Sequence, residues 1–285
     1  MKTTEESVLA AMDGTDSRIL QYLPYILQDF WEIGSDPSVI IGLIKKHLKT
    51  PGKPTVLDLG CGKGAVSVKI AKQLGYSCNG IDAIPGFIAF AASKAEDSGV
   101  SHLCRFEVGD IREKVKTAGK FHVIILGSIG QVFGDYFETL SLLRNNLTES
   151  GILIIDDGYI GDRDGVSQAV HEISRPERTG QTEEQKRVKP GPYLTRNEIV
   201  KQIAEAGMQL IEEVVSEGER VTEGENDDSS SDYDTQYAHI VNRCRELSNK
   251  YPDKTEMFME YCKRQRAEYD LLKDRITCAT LVIKA

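Results

Sequence analysis

The chain has 285 residues, of which 40% are hydrophobic, and its formal net charge at pH 7 is −9. A chain of this length favours one large core with an elaboration over two full domains. The negative charge makes a nucleic-acid substrate unlikely, because proteins that hold a polyanion by long-range attraction carry positive charge.

The six cysteines and five histidines form no ligand pattern. They show no C-x-x-C pair and no H-E-x-x-H spacing, so we expect reduced, mostly buried thiols and no metal. Residues 1–10 lack the apolar segment of a secretory signal, and no apolar run reaches bilayer length. We therefore expect a cytoplasmic protein with no membrane partner. Its oligomeric state is not indicated.

Residues 1–50 precede the first predicted strand and are expected to form a helical cap. Apolar side chains recur at helical spacing from Leu20 to Trp31. Asp36 followed by Pro37 predicts the start of a helix that ends near Leu48. The spacing favours core packing for the aromatic side chains of this segment, and a small-molecule pocket is the alternative.

A glycine-rich turn follows the first strand. Val56–Leu59 predicts a short apolar strand, and residues 60–64 (GCGKG) then lead into an amphipathic helix over residues 65–74. Together they form a cofactor cradle, because glycines let the backbone approach a ligand closely and the helix N-terminus offers N–H groups. The run Gly60-x-Gly62-x-x-Ala65 also fits a dinucleotide fingerprint. The turn alone therefore does not identify the cofactor.

Asp58, two residues before Gly60, separates the two possibilities. A carboxylate in this position repels a pyrophosphate and suits a cationic or zwitterionic ligand. With Asp58, Gly60, Gly62 and Gly64 in an acidic-x-Gly-x-Gly-x-Gly run, the chain resembles class I S-adenosylmethionine-dependent methyltransferases. The resemblance implies S-adenosylmethionine as the cofactor, with Asp58, Gly60, Cys61 and Gly62 in its site.

Two later strands are predicted to end on acidic residues. The second ends at Asp82, where a carboxylate can accept hydrogen bonds from both ribose hydroxyls of either cofactor. The third ends at Asp110 and Ile111, and the resemblance implies that this acid pairs with the adenine amino group while Ile111 packs on the ring. It also implies cofactor contacts from Ala83 and Gly127. The alternative for each aspartate is a helix N-cap.

From residue 51 onward, predicted strands and helices alternate, which is typical of a doubly wound α/β fold. Further strands are predicted over residues 121–126, 152–155, 208–215 and 277–285. The resemblance implies a seven-stranded sheet, mostly parallel, with the last strand antiparallel beside strand six.

The domain organisation is predicted to have three parts. Residues 1–50 form the cap, residues 51–216 and 276–285 the cofactor-binding domain, and residues 217–275 an insertion between strands six and seven. The insertion begins with an acidic loop and continues as two amphipathic helices that divide at Pro252. Because strand six ends at the carboxyl edge of the sheet, the insertion emerges on the cofactor face. We expect a substrate lid, with simple cover of the sheet edge as the alternative.

The catalytic residues are the least determined part of the prediction. Methyl transfer depends mainly on proximity, alignment and exclusion of water, so no strong base is required. Gln131 follows strand four and is a candidate for orienting an acceptor. Asp156, Asp157 and Tyr159 follow strand five and are expected near the same mouth of the site. Either aspartate is a candidate for a base or for holding a cationic substrate, and Tyr159 is a further catalytic candidate. Ordinary turn chemistry at a strand end is the alternative for these residues.

The sequence thus predicts a methyltransferase that transfers a methyl group from S-adenosylmethionine to a small-molecule acceptor by in-line displacement. The motif (Asp/Asn)-Pro-Pro-(Tyr/Phe), which the resemblance associates with amino methyltransferases of nucleic-acid bases, is absent after strand four. A protein methyltransferase, a NAD(P)-binding Rossmann oxidoreductase and a non-catalytic cofactor-binding module are the alternatives.

Overall fold

The computed structural model of the chain describes residues 3–50, 52–160, 193–216 and 233–285. The acidic loop predicted at the start of the insertion lies outside these residues. Within them, no helix is both long enough and apolar enough to cross a membrane. The described ranges also hold no group of three or more His, Cys, Asp or Glu side chains arranged for a metal ion.

The secondary structure alternates as the sequence predicts. The strands are β1 Thr55–Leu59, β2 Ser77–Asp82, β3 Cys104–Val108, β4 Phe121–Gly127, β5 Leu147–Ile160, β6 Gln209–Val215 and β7 Ile276–Lys284. The described α-helices are α1 Thr4–Ala11, α2 Leu23–Ile26, α3 Pro37–His47, α4 Ala65–Leu74, α5 Pro85–Asp97, α6 Ile111–Lys114, α7 Tyr136–Leu143, α8 Arg196–Glu205, α9 Tyr233–Lys250 and α10 Thr255–Asp274.

One seven-stranded sheet forms the centre, with strand order β3-β2-β1-β4-β5-β7-β6. Strands β1 to β5 are mutually parallel, and β7 is antiparallel to both of its neighbours, β5 and β6. The predicted doubly wound sheet with an antiparallel last strand is therefore confirmed. Its strand order reverses at β1 and β4, and open α/β sheets bind ligands at the carboxyl ends of such strands.

Helix ends follow local chemistry that the sequence reveals. The Asp36 carboxylate accepts hydrogen bonds from the N–H groups of Ser38 and Val39 and so caps α3. Thr195 and Glu198 form a capping box at the start of α8. These contacts satisfy N–H groups that have no partner inside the helix, and the predicted helix start at Asp36 is confirmed.

Helices cover both faces of the sheet. On one face, α3, α4 and α5 pack against β-strand residues in a core that includes Ile44, Val68 and Ile154. On the other face, α7 and α8 bury a core that includes Leu140, Ile203 and Leu126. The alternation of β1 side chains between these two cores explains why nearly the whole strand is apolar.

A third core joins the cap to the insertion. Leu23 and Ile26 from the cap pack with Cys244 of α9 and Phe258 of α10, and Phe87 of α5 completes the contact. All of these side chains are at most 2% exposed. The cap and the two helices of the insertion therefore bury each other's apolar faces above the sheet.

The predicted end of strand five is wrong. Residues Asp157 and Tyr159 lie inside β5, which continues to Ile160 instead of ending near Ile155. The reason is an antiparallel ladder in which β5 residues Leu153 to Ile160 pair one to one with β7. This pairing gives hydrogen-bond partners to backbone N–H and C=O groups that would lack them in a loop.

Candidate functional site

A cleft lies at the carboxyl ends of β1, β2 and β4, beneath the cap. Every residue that the sequence assigns to the cofactor site lines this one cleft: Asp58, Gly60, Cys61, Gly62, Asp82, Ala83, Asp110, Ile111 and Gly127. The topology explains the convergence, because parallel strands bring their carboxyl ends to the same edge of the sheet.

The backbone of the glycine turn is already paired within the protein. The N–H groups of Gly60 and Cys61 both donate to the carbonyl of Ile81, at 2.8 and 3.1 Å. The N–H of Gly62 donates to Asp82 Oδ2 at 2.9 Å. These three donors are thus engaged, and the turn offers little to a pyrophosphate, which depends on N–H groups of this kind.

Asp58 lies beneath the turn rather than in it. Its side chain is 4% exposed, and Ser67 of α4 donates a hydrogen bond to Oδ2 at 2.7 Å. Burial raises the pKa of Asp58 to about 6, although the bond from Ser67 acts in the opposite direction. A cation in the cleft would stabilise the charged form and lower this pKa.

Asp82 is held in place by backbone donors. Gly62 donates to Oδ2, and the N–H of Ile84 donates to Oδ1 at 2.8 Å. Burial raises the pKa of Asp82 in spite of these bonds. Since a carboxylate offers about four lone-pair positions, each oxygen retains room for a hydroxyl donor such as a ribose provides.

Asp110 is far more heavily paired. Its carboxylate accepts from Arg112 Nε and Nη2 in a fork, from the Arg112 N–H at 2.8 Å and from Thr4 Oγ1 at 2.5 Å. The Arg112 guanidinium foremost, and then the Thr4 hydroxyl, lower the pKa of Asp110 to about 2. An adenine amino group reaching this acid would compete with the chain's own donors.

Lys63 of the glycine turn is a residue whose role the sequence analysis missed. It is 3% exposed, and its ammonium donates to the carbonyls of Leu27, at 2.8 Å, and Phe30. The Lys63 carbonyl accepts from the indole N–H of Trp31 at 3.1 Å. Burial lowers the pKa of Lys63 to about 8. In the sequence, Lys63 stands between two glycines. This pattern does not reveal its role, because its partners lie more than thirty residues away.

A comparison with protein families assigns this arrangement. The family model described as "Methyltransferase domain" matches residues 51–241, which is more than half of the chain. The chain belongs to this methyltransferase family. This match confirms three predictions: the methyltransferase family, the α/β fold class and S-adenosylmethionine as the cofactor. The cofactor was predicted from the glycine turn and the three acids.

Individual relatives are more distant. Norajmaline N-methyltransferase from Rauvolfia serpentina is 34% identical over 70 residues, which are 25% of this chain and 24% of that protein. The matches to the first curated relatives span between 24% and 43% of their lengths, so this methyltransferase aligns with less than half of each.

Solved structures resemble the whole fold. A methyltransferase from Geobacter sulfurreducens, in complex with S-adenosyl-L-homocysteine, has a TM-score of 0.65 at 19% identity and covers 92% of this chain and 96% of that chain. The cyclase SpnF has a TM-score of 0.61 at 14% identity, covering 99% and 97%. At these identities the similarity shows the fold alone.

The cleft fits the cofactor of the family. Gly62 has φ +51°, and a side chain there would project into open space along the cleft. Asp82 would hold the ribose, and Asp58 and the turn would adjoin the charged amino acid part. Trp31 and residues of α1, among them Thr4 and Val8, line the cleft opposite the strands. Trp31 thus lies where the pocket alternative placed it, whereas the contacts of Thr4 and Val8 with the cleft were not predicted.

The catalytic candidates are not brought into the cleft. Gln131 is exposed, and neither Gln131, Asp157 nor Tyr159 lines it. Tyr159 is 6% exposed in the core beside the sheet, and its hydroxyl donates to Glu213 of β6 at 2.6 Å. The expected position of Tyr159 at the mouth is wrong, because β5 continues past it. Asp157 is half-buried, and its partial removal from water foremost raises its pKa to about 6.

Proposed function

We propose that this methyltransferase transfers the methyl group of S-adenosylmethionine to a small-molecule acceptor. The observation that carries the proposal is the charge of the cleft. Asp58 and Asp82 line it together with the mutually paired Asp110 and Arg112. The N–H groups of residues 60–62 and the ammonium of Lys63 bond to protein partners. Such a cleft favours a ligand that carries positive charge and disfavours a pyrophosphate. This argues against the dinucleotide alternative.

A small acceptor is favoured because the cap covers the cleft. Side chains of α1 and Trp31 lie across from the strands, and Trp31 is tied to the glycine turn through its bond to Lys63. A covered cleft suits a small acceptor better than a protein segment. The likeness to norajmaline N-methyltransferase, whose name denotes a small-molecule activity, supports the same choice.

The chain's contribution to the reaction is binding, alignment and exclusion of water. Asp82 would orient the ribose, and Gly60 and Gly62 would let the backbone approach the cofactor closely. The bound cofactor supplies an electrophilic methyl group on a sulfonium, so the acceptor needs only a free lone pair in line with it. The cap would keep water out during transfer.

Calorimetry with S-adenosylhomocysteine and NADH tests the proposal. We expect binding of S-adenosylhomocysteine and none of NADH, and Asp82→Asn should weaken the former by about tenfold, equivalent to about 1.4 kcal/mol. Asp135→Asn is the matched control, because Asp135 caps α7 outside the cleft. Labelled methyl groups should appear in the low-mass fraction of a cell extract. Binding of NADH alone, or label only in protein, would contradict the proposal.

A further inference from the structure

Beyond the cleft lies a second set of polar side chains, which we name the acidic cluster. It consists of Asp13, Asp157, Tyr193, Tyr261, Gln265 and Glu268. The cluster adjoins the cleft at two points. Asp13 follows Met12, which lines the cleft, and the carbonyl of Asp156 accepts the N–H of Ser128, another lining residue, at 2.7 Å.

Three parts of the chain meet in the acidic cluster. The Tyr193 hydroxyl donates to Glu268 Oε1 of α10 at 2.5 Å. The Gln265 amide donates to Asp13 Oδ2 at 3.2 Å and to the Met12 carbonyl at 3.3 Å. Against β5, a side chain on Gly158 would lie 3.3 Å from the Tyr193 ring, so glycine there permits the close approach. Contacts from the cap, the sheet and the insertion therefore hold the side chains of the acidic cluster in place.

The carboxylates of the cluster lack a cationic partner. Among the described residues, none of Asp13, Asp157 and Glu268 forms an ion pair with Lys, Arg or His. Burial first, and the charge of Glu268 second, raise the pKa of Asp13 to about 7, while Gln265 and the more distant Arg264 act in the opposite direction. The three carboxylates are half-buried, and after this partial burial the charge of Glu268 also raises the pKa of both Asp13 and Asp157. Carboxylates that repel each other in this way favour a cation between them.

Tyr261 supplies an independent sign of a ligand. Its side chain is 3% exposed, and its hydroxyl has no hydrogen-bond partner among the described residues. It stands one helical turn before Gln265 on the same face of α10, and the charge of Asp13 adds to burial in raising its pKa. Buried hydroxyls are normally paired, so an unpaired one within the influence of the Asp13 charge indicates a partner supplied from outside.

We propose that the acidic cluster binds the ammonium group of an amine acceptor and takes up its proton. This inference rests on the proposed function and specifies its substrate class. An ammonium nitrogen has no lone pair, so its N–H bond must first break, with the proton passing to the Asp13 or Asp157 carboxylate. The freed lone pair then forms the N–C bond, while the C–S bond breaks and its electron pair stays on sulfur. The Tyr261 hydroxyl would orient the amine.

Thermal-shift measurements with matched probes test the inference without relying on turnover. Tryptamine, phenethylamine and benzylamine would each be compared with the alcohol and the carboxylic acid of the same skeleton, in the presence of saturating S-adenosylhomocysteine. We expect the amines to raise the melting temperature by about 2–4 °C and the alcohols and acids to leave it unchanged.

Variants separate the cluster from the cofactor site. Asp13→Asn and Glu268→Gln should abolish the shift caused by amines and keep that caused by S-adenosylhomocysteine. Glu256→Gln, exposed on the first turn of α10, is the matched control and should keep both. Label from the methyl donor should also collect in the fraction of an extract that binds a cation-exchange resin.

The outcomes distinguish the two proposals. If S-adenosylhomocysteine itself causes no shift, the proposed function fails. If it does, but amines shift the melting temperature no more than their alcohols, the cluster is not an amine site. Loss of stability in unliganded Asp13→Asn and Glu268→Gln would likewise overturn the inference, because it would mean that the protein's own structure uses these charges.

Discussion

Two aspartates that look equivalent in the sequence have different surroundings. Asp82 is the last residue of β2, and Asp110 follows β3 by two residues and caps α6. Each was expected to bind one part of the cofactor. Within the described part of the chain, the Asp82 carboxylate accepts hydrogen bonds only from backbone N–H groups, whereas Asp110 is paired with Arg112 and with Thr4. Thr4 lies 106 residues away, so no local pattern predicts its contact. The sequence predicts where the two acids lie, but long-range packing determines which hydrogen-bond donors their carboxylates already bind.

Removing the Thr4 hydroxyl should free part of Asp110 for a ligand. We expect Thr4→Val to tighten S-adenosylhomocysteine binding by about fivefold, since one competing hydrogen bond of about 1 kcal/mol is lost. Calorimetry measures the dissociation constant directly. As a control, Thr50→Val removes a surface hydrogen bond to Ser150 outside the cleft and should leave the dissociation constant unchanged. An unchanged or weaker affinity in Thr4→Val would show that the ligand does not compete at Asp110.

Lys63 joins the glycine turn of the cleft to the cap and should stabilise the folded protein. Lys63→Met leaves the carbonyls of Leu27 and Phe30 without their donor, so we expect a loss of about 2–4 kcal/mol in the free energy of unfolding. Urea denaturation measures this loss, and Lys72→Met, on the exposed face of α4, should cost little. Equal stability of the two variants would mean that Lys63 does not hold the cap.

At the scale of elements, α4 is predicted well because both of its ends are local. The sequence places it over residues 65–74, and the structure has Ala65–Leu74 between two left-handed glycines, Gly64 and Gly75. β5 is predicted poorly because its length depends on pairing with β7, more than a hundred residues later. A local apolar run does not reveal how far such a ladder extends.

The two glycines that flank α4 provide a matched test of whether the cofactor turn needs a glycine at position 64. A Cβ on Gly64 would lie 2.6 Å from Ala91 Cβ and 3.0 Å from the Phe106 ring, whereas one on Gly75 would meet nothing within 4 Å. Both have positive φ, so each alanine variant carries about 1–2 kcal/mol of backbone strain. We expect Gly64→Ala to cost about 2 kcal/mol more than Gly75→Ala in urea unfolding. Equal costs would show that α5 and β3 yield to the added methyl group.

At the scale of the whole molecule, several buried or half-buried acids link stability to pH. Burial first raises the pKa of Asp13 to about 7 and those of Asp58 and Asp157 to about 6. Protonated acids are thus favoured in the folded state, so their stabilising effect is full below about pH 4 and is lost as the pH rises through 6 to 7. The paired Asp110 acts oppositely, but only as the pH falls toward 2.

The melting temperature of the unliganded protein should therefore fall between pH 5 and 7.5. Scanning calorimetry across this range measures the slope, and Asp13→Asn should flatten its upper part because the variant carries no titrating group there. Asp16→Asn, at an exposed helix cap, should retain the slope. A melting temperature that rises over the same interval would contradict the assignment of these acids.

The position of β7 has a consequence for aggregation. Its sequence ITCATLVIK is highly apolar, yet β7 pairs with β5 on one side and β6 on the other, which leaves β3 and β6 as the edges of the sheet. Both edges carry charges, Arg105 and Glu107 on β3 and Glu212 on β6. Charged edge strands discourage pairing between molecules. Until β7 docks, however, the apolar edge of β5 is open, so incompletely folded chains would be the species that associate.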